Sequence, residues 1–136
     1  LAFEVWRRRR IGIQANGGGW PLKRLLDSLL TADPCANVIV MGDFNDCPED
    51  PSMQLITSGK DTSASSCNRE MINLMPLMEN PNIQGSIKFE GHWYFFDQII
   101  ISRNIADGLN GMTVKNKKAA LMSAAFLLET DIPIWE

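Results

Sequence analysis

Residues 38–50 read Val38-Ile39-Val40-Met41-Gly42-Asp43-Phe44-Asn45-Asp46-Cys47-Pro48-Glu49-Asp50, and the fold turns on how this stretch is read. Four apolar residues in succession predict a short strand buried on both faces. Gly42 ends it and lets the backbone turn or approach something closely. Asp43, Asn45 and Asp46 then follow, with Phe44 between the first two. Acidic and amide groups at the carboxyl end of a buried strand are a recurrent place for chemistry in α/β proteins. If the chain stays extended past Gly42, Asp43 and Asn45 face the same way and Phe44 points into the core. A carboxylate beside a carboxamide suits a hard, oxygen-seeking cation and the phosphate it holds. The same residue types also build an ordinary surface turn, so this stretch alone leaves both readings open.

On the amino-terminal side, Trp20 to Ala32 carries Leu22, Leu25, Leu26, Leu29 and Leu30 at helical spacing. This predicts one apolar stripe, with Pro21 in the first turn and Asp33-Pro34 as the stop. Before it, Leu1 to Trp6 reads as a short strand, Arg7 to Arg10 as a solvated charge run or a phosphate-contacting arm, and Gly17 to Gly19 as a flexible link. On the carboxyl side, Asp50-Pro51 predicts a helix start that sends Met53, Leu55 and Ile56 inward. Residues 59–68 read as a polar loop. Glu70 to Met78 reads as an apolar helical or irregular piece whose methionines fill core gaps.

Residues 85–102 are the second informative stretch. Gly85 to Phe89 alternates like a half-buried strand, Glu90-Gly91-His92 reads as a tight turn, and Trp93 to Ser102 as one long strand, together an antiparallel hairpin. Asp97 lies inside that apolar run, where a carboxylate is costly unless partnered. It is either a satisfied core or edge aspartate or a second candidate for chemistry. His92, the only histidine, reads as an exposed turn residue. Met112 to Val114 is a further possible strand, and 119–129 is apolar with strand and helix both open.

The chain has 136 residues, 45% hydrophobic and 21% charged, with formal net charge −3. This fits one soluble globular domain with a sizeable core. The acidic balance provides no general attraction to nucleic acid or anionic membranes. Cys35, Cys47 and Cys67 are odd in number and lack a C-x-x-C spacing, so they read as free thiols, with Cys47 near the candidate site. No apolar run is long enough to span a bilayer. Composition leaves a cytoplasmic or exported location open.

The two stretches together resemble the endonuclease/exonuclease/phosphatase superfamily, whose fold is also that of the pancreatic deoxyribonuclease. Gly42-Asp43-Phe44-Asn45, after its strand and before Pro48, is similar to the family's Gly-Asp-Phe-Asn signature. Trp93 followed by Phe96-Asp97-Gln98-Ile99 is similar to its later Trp…Asp-His-Ile strand, in a form like that of Bacteroidetes members. Asp43 and Asp97 stand 54 residues apart. The resemblance covers most of residues 20–130 and leaves 1–19 as a poorly matching segment.

The resemblance implies an α/β (α+β) fold, here a partial four-layer β-sandwich of one sheet plus flanking helices, with 20–136 as the C-terminal part of the domain. It implies a phosphoesterase dependent on a magnesium or manganese ion. Asp43 matches the aspartate that orients or deprotonates the attacking water, Asn45 the asparagine that holds the scissile phosphate, and Asp97 the aspartate that pairs with the family's catalytic histidine. Asp43 and Asn45 are then the metal-side ligands, holding the ion weakly. Nothing before residue 20 matches the family's metal-binding Asn and Glu, and its terminal Ser-Asp-His motif is not found. Two classes stay open: an enzyme fragment, and a catalytically silent binding or assembly module. The expected partners are a phosphoester and either a second copy or the missing half. The family's substrates include nucleic acids, phosphoinositides, sugar phosphates and sphingomyelin, and the acidic charge disfavours long nucleic acid.

Overall fold

The computed structural model describes residues 19–59, 67–78 and 82–120. The expectations for the Leu1–Trp6 strand, the arginine run, most of the polar loop and the 121–129 stretch lie outside these residues. In chain order the elements are helix α1 (Gly19–Ala32), strand β1 (Ile39–Asp43), helix α2 (Pro51–Thr57), strand β2 (Met71–Asn73), a 3-10 turn (Met75–Leu77), strands β3 (Ile87–Phe89), β4 (His92–Tyr94) and β5 (Asp97–Ser102), and short helix α3 (Arg103–Ala106). Two further 3-10 turns follow at Leu109–Gly111 and Lys115–Lys117. The fold is mixed α/β, with an antiparallel sheet in the order β1-β5-β2 and a separate β3-β4 ribbon.

β5 is the centre of the sheet, and its alternation builds two cores. Ile100 packs on one face with Leu26 and Leu30 of α1, Met53 and Ile56 of α2, and Met71, joined by Val38, Val40 and Phe44. Ile101 packs on the other face with Leu74, Met75, Ile105, Ala106 and Ala119. The period of two along an extended strand produces this division. Met71 and Met75 are buried as core fillers.

Several expectations need correction. β1 is not buried on both faces; among the described strands its neighbour is β5. Ile39 and Met41 are 48% and 73% exposed, while Val38 and Val40 pack inward. A strand covered by helices on one face needs only alternate residues inside. The stripe of α1 is narrower than its leucines suggest, since Leu22, Leu26 and Leu30 face the core and Leu25 and Leu29 are exposed. Gly19 is not part of a link. It is buried in the first turn of α1, where a Cβ would come 2.9 Å from the Ser52 carbonyl oxygen. The 70–78 piece contains β2, held by pairing of Met71 with Ser102 and Asn73 with Ile100. Met112 to Val114 forms no strand.

The predicted hairpin exists but is shorter. β3 and β4 pair from Ile87–Tyr94 to Phe89–His92. Glu90 and Gly91 form the turn with φ of 48° and 82°, as two-residue hairpin turns require. His92 therefore belongs to β4. The chain leaves the ribbon at Phe95-Phe96 and enters the other sheet at Asp97. Phe96 is buried and stacks on Tyr94 with ring centroids 5.0 Å apart. Its carbonyl accepts the Phe44 amide at 2.8 Å. Burial of Phe96 and this backbone bond separate one long apolar run into two strands.

Candidate functional site

β1 and β5 run antiparallel with Gly42 opposite Gln98 and Asp43 opposite Asp97. Backbone bonds from Ser102 to Val38 and from Phe44 to Phe96 flank this ladder. Pairs 40/100 and 42/98 are therefore the hydrogen-bonded ones and Asp43/Asp97 is a non-hydrogen-bonded pair, the closer type, in which side chains directly face each other. Both aspartates are exposed, on the face that also carries Ile39 and Met41. Two like charges so placed destabilise the pair unless something positive lies between or above them.

Asn45 joins them by a different route from the one expected. The backbone does not stay extended: Asn45 takes φ 51°, a left-handed conformation that asparagine tolerates better than most residues. Its amide donates to Oδ1 of Asp43 at 2.8 Å, closing a turn across Phe44. The candidate set of Asp43, Asn45 and Asp97 is thus gathered at one end of the sheet. Asp46 turns away, its Oδ2 accepting the Ser52 hydroxyl of α2 at 2.5 Å. Asp50 precedes Pro51 at the start of α2, and its carboxylate accepts the Cys47 amide at 2.7 Å.

The costly buried polar group in β5 is not Asp97 but its neighbour. Asp97 is exposed at the strand's first position, whereas Gln98 is 1% exposed. Gln98 donates from Nε2 to the carbonyls of Asp46 (2.7 Å) and Phe95 (2.5 Å), and its Oε1 accepts from Nδ2 of Asn73 (2.8 Å). Reading the sequence for charges overlooked it. The available signal was the alternation itself, since one of two adjacent polar residues in a central strand must face the core.

At the opposite end of β5 the cysteine reading is overturned. Cys35 and Cys67 form a disulfide with a Cα–Cα distance of 5.0 Å. Cys47 is the thiol outside it. Residues around the bridge are held by two buried side chains. Asn104 donates to the Pro34 carbonyl at 2.7 Å and accepts the Asn68 amide at 3.2 Å. Ser102 donates to the Ala36 carbonyl at 3.0 Å and accepts the Val38 amide at 3.1 Å. These bonds align the approach to β1. An odd cysteine count excluded only complete pairing, not one bridge.

The donor chemistry at Asp43, Asn45 and Asp97 is all oxygen, which fits a hard divalent cation. Among the described residues no three His, Cys, Asp or Glu side chains group as a metal site. Magnesium sites commonly take one or two carboxylates and complete the sphere with water and phosphate, so this pair fits an ion held jointly with a substrate. His92 is exposed on the β3-β4 ribbon, in a sheet separate from the aspartates.

Among the described residues no helix is long and apolar enough to cross a membrane. No curated protein and no solved structure matches the chain. A family model described as the Endonuclease/Exonuclease/phosphatase family matches residues 17–133, spanning both Asp43-Phe44-Asn45 and Asp97-Gln98-Ile99. With a match over most of its length, the chain belongs to the endonuclease/exonuclease/phosphatase family.

Proposed function

We propose that the chain carries the phosphate-handling end of a divalent-metal phosphoesterase, with Asp43, Asn45 and Asp97 as its site residues. The observation that supports this best is the direct opposition of Asp43 and Asp97 across β1 and β5. Two exposed carboxylates directly opposed across a strand pair are unfavourable for stability alone. They become useful where a cation and a phosphate meet.

Asp43 is the water-orienting or proton-accepting group. Its Oδ1 is fixed by the Asn45 amide, which holds the carboxylate in one rotamer. Asn45 offers its carboxamide to the phosphate oxygens from a constrained turn. Asp97 faces Asp43 and shares the task of holding the cation. When bound, a magnesium or manganese ion supplies charge neutralisation for the phosphoryl group. The remaining work of this end of the sheet is positioning, which carries much of the catalysis in phosphoryl transfer.

The test is hydrolysis of bis(p-nitrophenyl) phosphate by the full chain with magnesium or manganese, and with chelator added. Turnover that needs the ion, and that falls by ~10²-fold or more in Asp43→Asn, is the expected result. Asp97→Asn should weaken the metal dependence as well. Absence of both turnover and ion-dependent phosphoester binding would overturn the proposal.

A further inference from the structure

We propose that Gln98 is a positioning residue for the Asp43–Asp97 site, a role that rests on the phosphoesterase reading above. Three polar side chains lead the buried polar set among the described residues: Gln98, Ser102 and Asn104. Ser102 and Asn104 bond to residues 34–38 and 68, around the disulfide. Gln98 bonds toward the other end, where the aspartates lie.

Its three bonds join three separate segments. Asp46 belongs to the loop leaving β1, Phe95 to the chain entering β5, and Asn73 to β2. Both amide N–H groups and the carbonyl of Gln98 are used, which is close to the full capacity of the side chain. The loop from Phe44 to Asp46 is therefore fixed at both ends onto the strand that carries Asp97. Phe44 is held by the Phe96 carbonyl and Asp46 by Gln98. Asn45 lies between these two anchors in its left-handed conformation. Its offset from Asp97 is thus set by Gln98, which never touches a phosphate itself. An apolar replacement of equal length would leave the Asp46 and Phe95 carbonyls without this donor, each loss carrying a desolvation penalty in a buried setting. The loop would then trade one fixed arrangement for several.

A merely structural glutamine would lower stability everywhere; a positioning one loosens the loop and leaves the strands intact. The experiment compares amide hydrogen exchange in the full chain with that in Gln98→Met, alongside diester hydrolysis. Exchange at Phe44 and Asn45 should accelerate ~10-fold or more, with Val40 and Ile100 changed less than about 3-fold. The kcat for the diester should fall by roughly 10- to 100-fold at near-constant KM. Equal acceleration at all four amides, or none at Phe44 and Asn45, would overturn the proposal. Should Gln98→Met not fold, Asn73→Ala removes one bond to the same side chain. It should accelerate the same two amides about 3-fold, and unchanged exchange there would overturn the proposal. A wild-type chain that neither hydrolyses the diester nor binds it with the ion would sink the phosphoesterase reading, while the exchange pattern still decides whether Gln98 holds the loop.

Discussion

Reducing the Cys35–Cys67 bridge should be the most damaging chemical change available to this fold. The two cysteines are 32 residues apart, and the closed segment contains all of β1, the Asp43–Asn45 turn and α2. Cross-linking a loop of that length removes chain entropy from the unfolded state worth about 3.7 kcal/mol at 25 °C. For a chain of 136 residues, unfolding entropy near the midpoint converts this into a Tm loss of roughly 10–15 °C. The contacts around the bridge should persist, because Asn104 and Ser102 hold the neighbouring backbone without it. The effect is therefore on the unfolded state, and reduction should lower Tm while leaving the folded-state spectrum unchanged. The assay is a pair of thermal melts with and without a phosphine reductant, with Cys35→Ala/Cys67→Ala melted under both conditions. The double variant should match the reduced wild type and ignore the reductant. Thiol titration of the folded, unreduced chain should find one reactive-class thiol, that of Cys47. Three titratable thiols, or a melt displaced by less than about 3 °C, would refute the loop-closure reasoning.

Two further substitutions test how the site is framed. Asn104→Ala leaves the Pro34 carbonyl and the Asn68 amide without their partner at a position with no solvent exposure, and urea unfolding should show a loss of ~1–3 kcal/mol. Gly85→Ala would set a Cβ 2.6 Å from the Tyr94 nitrogen and 2.7 Å from its carbonyl oxygen. Backbone cannot yield as a side-chain tip can, so residues 85–86 should be pushed off Tyr94 of β4 at a cost of ~1–3 kcal/mol, and an unchanged denaturation midpoint would count against that packing.

The legible parts of the sequence were those carried by local chemistry. Asp50-Pro51 marked the start of α2, because a proline at the first helical position advertises itself. Gly42-Asp43-Phe44-Asn45 marked where β1 gives way to a turn, although the strand runs through Gly42 to Asp43 instead of stopping at the glycine. The illegible parts depended on partners far along the chain. β2 is three residues long and exists because β5 offers it a ladder, and nothing in Met71-Ile72-Asn73 alone announces a strand. Leu25 and Leu29 looked like core because their spacing is helical, but only one side of α1 meets the sheet and α2. Cys35 and Cys67 could not be paired by spacing, since their proximity is created by the fold. Asn45 follows Asp43 through a left-handed turn, not through the extended continuation that the sequence suggests.

β5 shows why a single strand can frame both the core and the site. Among the described strands it is the one with a neighbour on each side, so its register fixes β1 and β2 together. Its even-numbered residues Gln98, Ile100 and Ser102 face the core beneath α1 and α2, and are among the least exposed residues described. Its odd-numbered residues begin with exposed Asp97 and end with buried Ile101. A one-residue slip against β1 would send Gln98 to the surface and Asp97 into the core, and would part Asp97 from Asp43. Gln98 penalises that slip, because its three partners exist only in the observed register. The same buried amide that satisfies the core therefore specifies which carboxylates meet at the sheet's end. Its effect on the site follows from strand geometry, with no contact to a ligand needed.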